Sequence, residues 1–207
     1  MSKSLHSLIA ALLLSAAAQA VAASSVDLSV RGLITPSACE PTLANDGVVE
    51  LGKISVQDLR LDWPTYLPRQ DMQMTVTCDA ATLIAIAATD NREGSDAQYD
   101  YYTFGLGMIN GSEKLGFLTI STSNLIADGM PVRAIGSRDG GVTWQREGSF
   151  MDDGLTAVSE LDTLTPLPVQ RLTADLQIKA AIAPAQDLTF TKEETIDGSV
   201  TLTVKYL

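Results

Sequence analysis

Apolar and polar residues alternate along much of the chain with a period of two. Val26, Leu28 and Val30 fall on one side of an extended segment, and Asp27, Ser29 and Arg31 fall on the other. This is the pattern of a half-buried β-strand. It returns at Met72, Met74 and Val76 before Cys78, and again at Leu172, Ala174, Leu176, Ile178 and Ala180. Residues 83–87 form a short apolar run of strand length, and Val48, Val49 and Leu51 follow an Asn45-Asp46-Gly47 turn, which predicts a further strand there. Residues 132–135 and 142–145 flank Asp139-Gly140-Gly141 as the arms of a hairpin would. Gly105, Gly107, Gly111 and Gly116 punctuate the middle, and Pro64, Pro68, Pro166, Pro168 and Pro184 sit between patterned segments, where a missing amide hydrogen does little harm. Only residues 121–127 and 151–164 suit a helical turn or short helix. The last segment places Val200, Leu202 and Val204 against Thr201, Thr203 and Lys205, ending at Tyr206 and Leu207. With no later segment to pair beside it, this strand is expected at an open sheet edge, and open edges recruit partner strands.

The first residues have a different character. Lys3 precedes an apolar run from Leu8 to Ala18, and two small-residue sites follow, Ala18-Gln19-Ala20 and Val21-Ala22-Ala23. These are the parts of a secretory signal. We expect residues 1–23 to be removed, leaving one domain over 24–207. The run is short for a bilayer span, and no second stretch approaches that length, so no transmembrane segment is expected in the mature chain.

The formal charge of −11, from 14 Lys and Arg against 25 Asp and Glu, argues against nucleic acid, whose phosphates need a basic patch. It fits a solvated acidic exterior. Cys39 and Cys78 are the two cysteines. In an exported chain the simplest reading is one disulfide between them. The weaker alternative is half of a zinc site, for which the mature chain has no histidine to add.

The one histidine, His6, falls in the signal segment. That argues against Ser-His-Asp and Cys-His catalysis, and no phosphate loop, dinucleotide fingerprint or nucleophile elbow occurs. Asp152-Asp153, Glu193-Glu194 and Asp90-Asn91-Arg92-Glu93 offer carboxylate pairs, as any acidic chain does, and no spacing matches a calcium loop at Asp90, Glu93 and Asp96 or at Asp152 and Asp153. We expect no enzyme, no metal and no cofactor. Trp63 and Trp144 with Tyr99, Tyr101 and Tyr102 could line a carbohydrate face, but scattered aromatics more often pack a core or hairpin. The Asn110-Gly111-Ser112 sequon carries no weight if the chain is bacterial.

Three further features share a source. Gly32-Leu33-Ile34-Thr35-Pro36-Ser37-Ala38-Cys39, then Leu51-Gly52 with Val76-Thr77-Cys78, and the alternating end from Val200 to Lys205 with its penultimate Tyr206 resemble the pilins and fimbrial-like proteins of the chaperone-usher pathway. That resemblance implies an all-β, immunoglobulin-like sandwich lacking its last strand, with a groove beside Val200, Leu202, Val204 and Tyr206. It implies a periplasmic chaperone that fills the groove first, an outer-membrane usher, and neighbouring subunits whose N-terminal extension replaces the chaperone. Residues 24–34, with Val26, Leu28 and Val30, are the candidate donor strand. The implied role is a fimbrial structural subunit, in the periplasm in transit and then at the cell surface. The alternative is a non-polymerising, adhesin-like binding module of the same fold, using loops around residues 99–107 or Trp144. The segment before Cys39 is shorter than in typical major pilins, Gly198 lies closer to the chain end, and the mature chain is longer.

Overall fold

The computed structural model describes residue 29 and residues 38–207. Contacts divide the chain after Ile34, and the fold below is that of the second unit, Thr35–Leu207. The expected signal, residues 1–23, and the candidate donor residues Val26, Leu28 and Val30 lie outside the described residues.

In chain order the strands are β1 Cys39–Leu43, β2 Thr65–Tyr66, β3 Gln70–Thr82 and β4 Ile84–Asp90. Short β5 Phe104–Gly105, β6 Met108–Ile109 and β7 Glu113–Lys114 lead into β8 Gly116–Ala127 and β9 Met130–Pro131. β10 Arg133–Ser137, β11 Gln145–Arg146, β12 Leu155–Ser159, β13 Val169–Ile182 and β14 Val200–Tyr206 complete the set. One sheet runs β1-β3-β13-β8-β5, with β2 beside β13 and β9 beside β8; a second runs β11-β10-β12-β4-β14, and β6 and β7 pair as a separate two-stranded ribbon. The result is an all-β sandwich: the alternation implied the strands and the resemblance implied the sandwich.

Packing follows the period of two. In β13, Leu172, Ala174, Leu176, Ile178 and Ala180 are buried, and in β3 so are Met72, Met74, Val76 and Cys78. All but Ala180 meet Ile84, Ile86, Phe150 and Val158 in one core between the sheets, while Ala180 packs with Leu106, Leu115 and Ile182 in a neighbouring cluster. The second sheet also buries its outer face: Ala85, Ile135 and Ala157 lie under Trp144 and Leu155. Trp144 is anchored by its indole Nε1–H, which donates to the Gly141 carbonyl at 3.0 Å.

Cys39 stands directly opposite Cys78 in the β1–β3 ladder, and the two form a disulfide. The zinc alternative is thereby removed. The bridge closes a sequence separation of 39 residues, for which loop entropy predicts on the order of 4 kcal/mol.

Three local expectations need correction. Residues 121–127 are not helical but complete β8, and residues 151–164 hold β12 rather than a helix. Residues 48–52 form no ladder; a 3₁₀ turn, Ala44–Gly47, precedes them, with Asn45 and Asp46 both at φ 52°. The hairpin around Asp139 exists, but only Ile135 and Gly136 pair with Arg146 and Gln145. Residues 138–144 instead wrap Asp139, whose carboxylate accepts the amide hydrogens of Val142 and Thr143 and the Ser137 and Thr143 hydroxyls.

Candidate functional site

β14 pairs along its whole length with β4, from Val200 opposite Asp90 to Tyr206 opposite Ile84. It ends its sheet, and β1 ends the other. The two edge strands meet at one end, where the Cys39 amide donates to the Tyr206 hydroxyl at 3.0 Å. Away from that point they diverge and an apolar cavity of about 260 Å³ opens between them.

Its walls are Leu43, Val49 and Leu51 on one side and Ile196, Val200 and Leu202 on the other; Met72, Ile120, Leu176 and Ile178 form its floor. Val200 and Leu202 are therefore only half-buried although they pack on the central core. Gly198 completes the wall: a Cβ there would come within 2.7 Å of Leu106 Cδ2 and 3.0 Å of Leu118 Cδ2.

The cavity continues into a second, of about 660 Å³, which shares Val49, Leu51 and Ile196. Leu59, Leu115, Ile182 and Phe190 line its apolar side. Its rim is charged, with Lys53 paired to Glu193 at 3.5 Å and Lys192 at 3.8 Å from Glu194. Together the two make a groove that runs beside β14 and past its start.

Of the residues expected on the groove strand, Val200 and Leu202 line the cavity. Val204 packs against the core without lining it, and Tyr206 closes the narrow end through its hydroxyl. The opposite wall was not anticipated. Val49 and Leu51 carry the alternation of a strand, but here that alternation marks a segment that lines a groove without a ladder.

Near the start of β14 the chain is pinned by charge. The Arg92 guanidinium donates to both Asp197 carboxylate oxygens, at 2.9 and 2.7 Å. That pair raises the Arg92 pKa and lowers that of Asp197. The Asn91 side-chain amide donates to the Ser199 and Thr201 hydroxyls, both at 2.9 Å.

The other candidates serve the loops. Asp90 accepts the amide hydrogens of Arg92 and Gly105, each at 2.8 Å, Asp96 accepts that of Gln98 and the Thr103 hydroxyl, and Asp152 accepts the Asp90 amide hydrogen at 3.0 Å. Glu93 is exposed, and no cluster of metal-ligating side chains occurs among the described residues. Tyr101 has Arg138 over its ring at 3.8 Å and the Tyr102 ring 4.2 Å away, while the Tyr102 hydroxyl donates to Glu147. That hydrogen bond pushes the Tyr102 phenol well above its usual pKa. Protein groups thus occupy the Tyr101 ring; Tyr99 stands exposed at a φ of 56°. Among the described residues no helix is long and apolar enough to cross a membrane.

Fold and site define a disulfide-bonded β-sandwich with an apolar groove between two sheet edges. Residues 28–110 match the family model described as "Protein of unknown function (DUF1120)". The chain is 30% identical over 227 residues to "Uncharacterized protein YhcF" of Escherichia coli K12, covering 92% of this chain and 94% of the relative. It is 28% identical over 246 residues to "Protein GltF" of the same organism, covering 96% of each. The chain belongs to this DUF1120 family.

Proposed function

We propose that this protein is an exported structural subunit of a surface fimbria that assembles by strand addition to β14. A periplasmic chaperone covers the groove first, and residues 24–34 of a neighbouring subunit then replace it at an outer-membrane usher. The subunit acts by binding and not by catalysis. The observation that carries this reading is the groove itself. β14 ends its sheet with half-buried Val200 and Leu202 on the wall of an apolar cavity. A β-strand with hydrophobic residues at alternate positions would add ladder hydrogen bonds to the free side of β14 and place its apolar row in the cavity. Val26, Leu28 and Val30 supply such a row. The disulfide suits an oxidising compartment beyond the inner membrane.

A binding titration tests it. A labelled peptide of residues 24–34 should bind the mature chain, and Leu202→Asp should abolish that binding by placing a charge in the apolar wall. Tyr99→Ala, at an exposed side chain away from the groove, should leave it unchanged. Equal effects from both substitutions would contradict the assignment.

A further inference from the structure

The strand-addition reading has a geometric consequence for the rest of the surface, and the inference here rests on it. Between the candidate donor, residues 24–34, and Ala38 stand only Thr35, Pro36 and Ser37. The four Cα-to-Cα steps from residue 34 to Ala38 reach at most about 14 Å. A donor seated in a second copy therefore draws the two sandwiches into direct contact.

The described chain begins at a defined end of the sandwich. The Ala38 amide donates to the Asp79 carboxylate at 3.2 Å, the Asp79 amide donates to the Ala38 carbonyl at 3.1 Å, and Cys39 reaches Tyr206. This is the end where β3 turns into β4 and where the Leu207 amide donates to the Leu83 carbonyl at 3.1 Å. Leu83, Val142, Leu161, Leu164 and Leu207 are exposed there, and Leu83, Trp144, Pro166 and Leu207 line a depression of about 310 Å³.

The opposite end carries a second apolar patch. β2 pairs with Ala181 and Ile182, at the far end of β13 from Val169, which pairs with Thr82. Just before β2 a turn presents Leu61, 68% exposed, and Trp63, 67% exposed, with Tyr66 following. The turn is fixed rather than loose: the Ala185 and Gln186 amides donate to the Arg60 and Leu61 carbonyls at 2.9 and 3.0 Å. It lies next to the groove, because Val56 and Leu59 line the second cavity.

Every ladder between the named strands is antiparallel. A donor that continues this pattern along β14 has residue 34 at the Val200 end, beside the Leu61–Trp63 turn. We infer that this turn is a second contact surface, separate from the groove, and that its occupant is the Leu83–Leu207 end of the neighbouring copy that supplies the donor. An exposed tryptophan on a fixed turn is the kind of side chain that anchors an interface. Because the two faces differ, the contact is heterologous and propagates as an open filament.

The test uses the mature chain, residues 24–207, as wild type, Trp63→Glu, Leu164→Glu and, as a control at an exposed position within β3, Gln73→Ala. Two readouts are taken: the shift in melting temperature on adding the 24–34 peptide, and self-association by sedimentation velocity over a concentration series. The expected result is a peptide shift in all four chains, with self-association weakened about tenfold or more in each glutamate variant, the loss expected for one interface anchor. Wild-type-like association of both glutamate variants with the peptide shift intact overturns the second surface and leaves the groove reading standing. Weakening by Leu164→Glu alone overturns the assignment of the Trp63 turn. A wild-type chain with no peptide shift overturns the groove reading and this inference with it. If one glutamate variant fails to fold, the other decides.

Discussion

β13 and β14 carry the same alternation and face the same core, yet they are buried to different degrees. In β13 the apolar row from Leu172 to Ala180 is buried, because β3 and β8 pair on either side. In β14 Val200 and Leu202 are half-buried, because β4 is the strand's ladder partner and the cavity lies beyond. Identical patterning thus records which side chains point inward. It does not record whether a neighbouring strand is there to cover them. The difference between the two strands is the physical content of the groove.

Substitutions that separate the two strands test the comparison. The largest effect is expected at the complete strand. Leu172→Ala should cost about 3–5 kcal/mol in denaturant unfolding, as for a buried core leucine away from the groove, and a loss near that of an exposed site would contradict the packing. Cys39→Ser removes the cross-link that holds β1, one wall of the groove, to β3. A loss of about 2–4 kcal/mol is expected, with the same loss appearing on chemical reduction of the native protein. Leu202→Ala in the open strand should cost less, about 1–2 kcal/mol, because part of its surface is already wet. The comparison sharpens when the donor peptide is present: the gap between Leu172→Ala and Leu202→Ala should then narrow. Gly198→Ala should cost about 1 kcal/mol through its approach to Leu106 and Leu118, and should weaken peptide binding by crowding the wall.

The smallest effect is local and set by pH. Hydrogen bonds from the Thr143 hydroxyl and amide, then from Ser137, lower the Asp139 pKa to about 2. The unfolded value is near 3.9. The contribution of these bonds is therefore complete above that value and is lost as pH falls toward 2. Trp144 fluorescence, read in a Trp63→Phe background, should report loosening of residues 138–144 over that range. Asp139→Asn should remove the transition, and a transition that survives it would assign the loosening to another group.

The strands that were legible in the sequence are those with one wet face. β3, β13 and β14 show a clean period of two because one side of each row meets the core. β12 does not, since Thr156, Ala157, Val158 and Ser159 are all buried: the second sheet also packs beneath Trp144, so both faces of the strand are covered. β8 loses its alternation for another reason. Its register against β13 shifts between Thr173 and Asp175, and Asn124 adopts a φ of 48° there, as at a bulge. Polar residues then fall out of phase, and residues 121–127 look helical. The groove was half legible. Its β14 wall follows from the final alternation, but Val49, Leu51 and Phe190 join it through turns whose course no local pattern specifies.

The most direct test of the central claim is thermal unfolding of the mature chain with and without the peptide of residues 24–34. The account predicts a large rise in melting temperature that saturates with peptide and is absent in Leu202→Asp. A cooperative transition at the same temperature with and without peptide would contradict it, because a groove that takes a strand must stabilise the sandwich when filled.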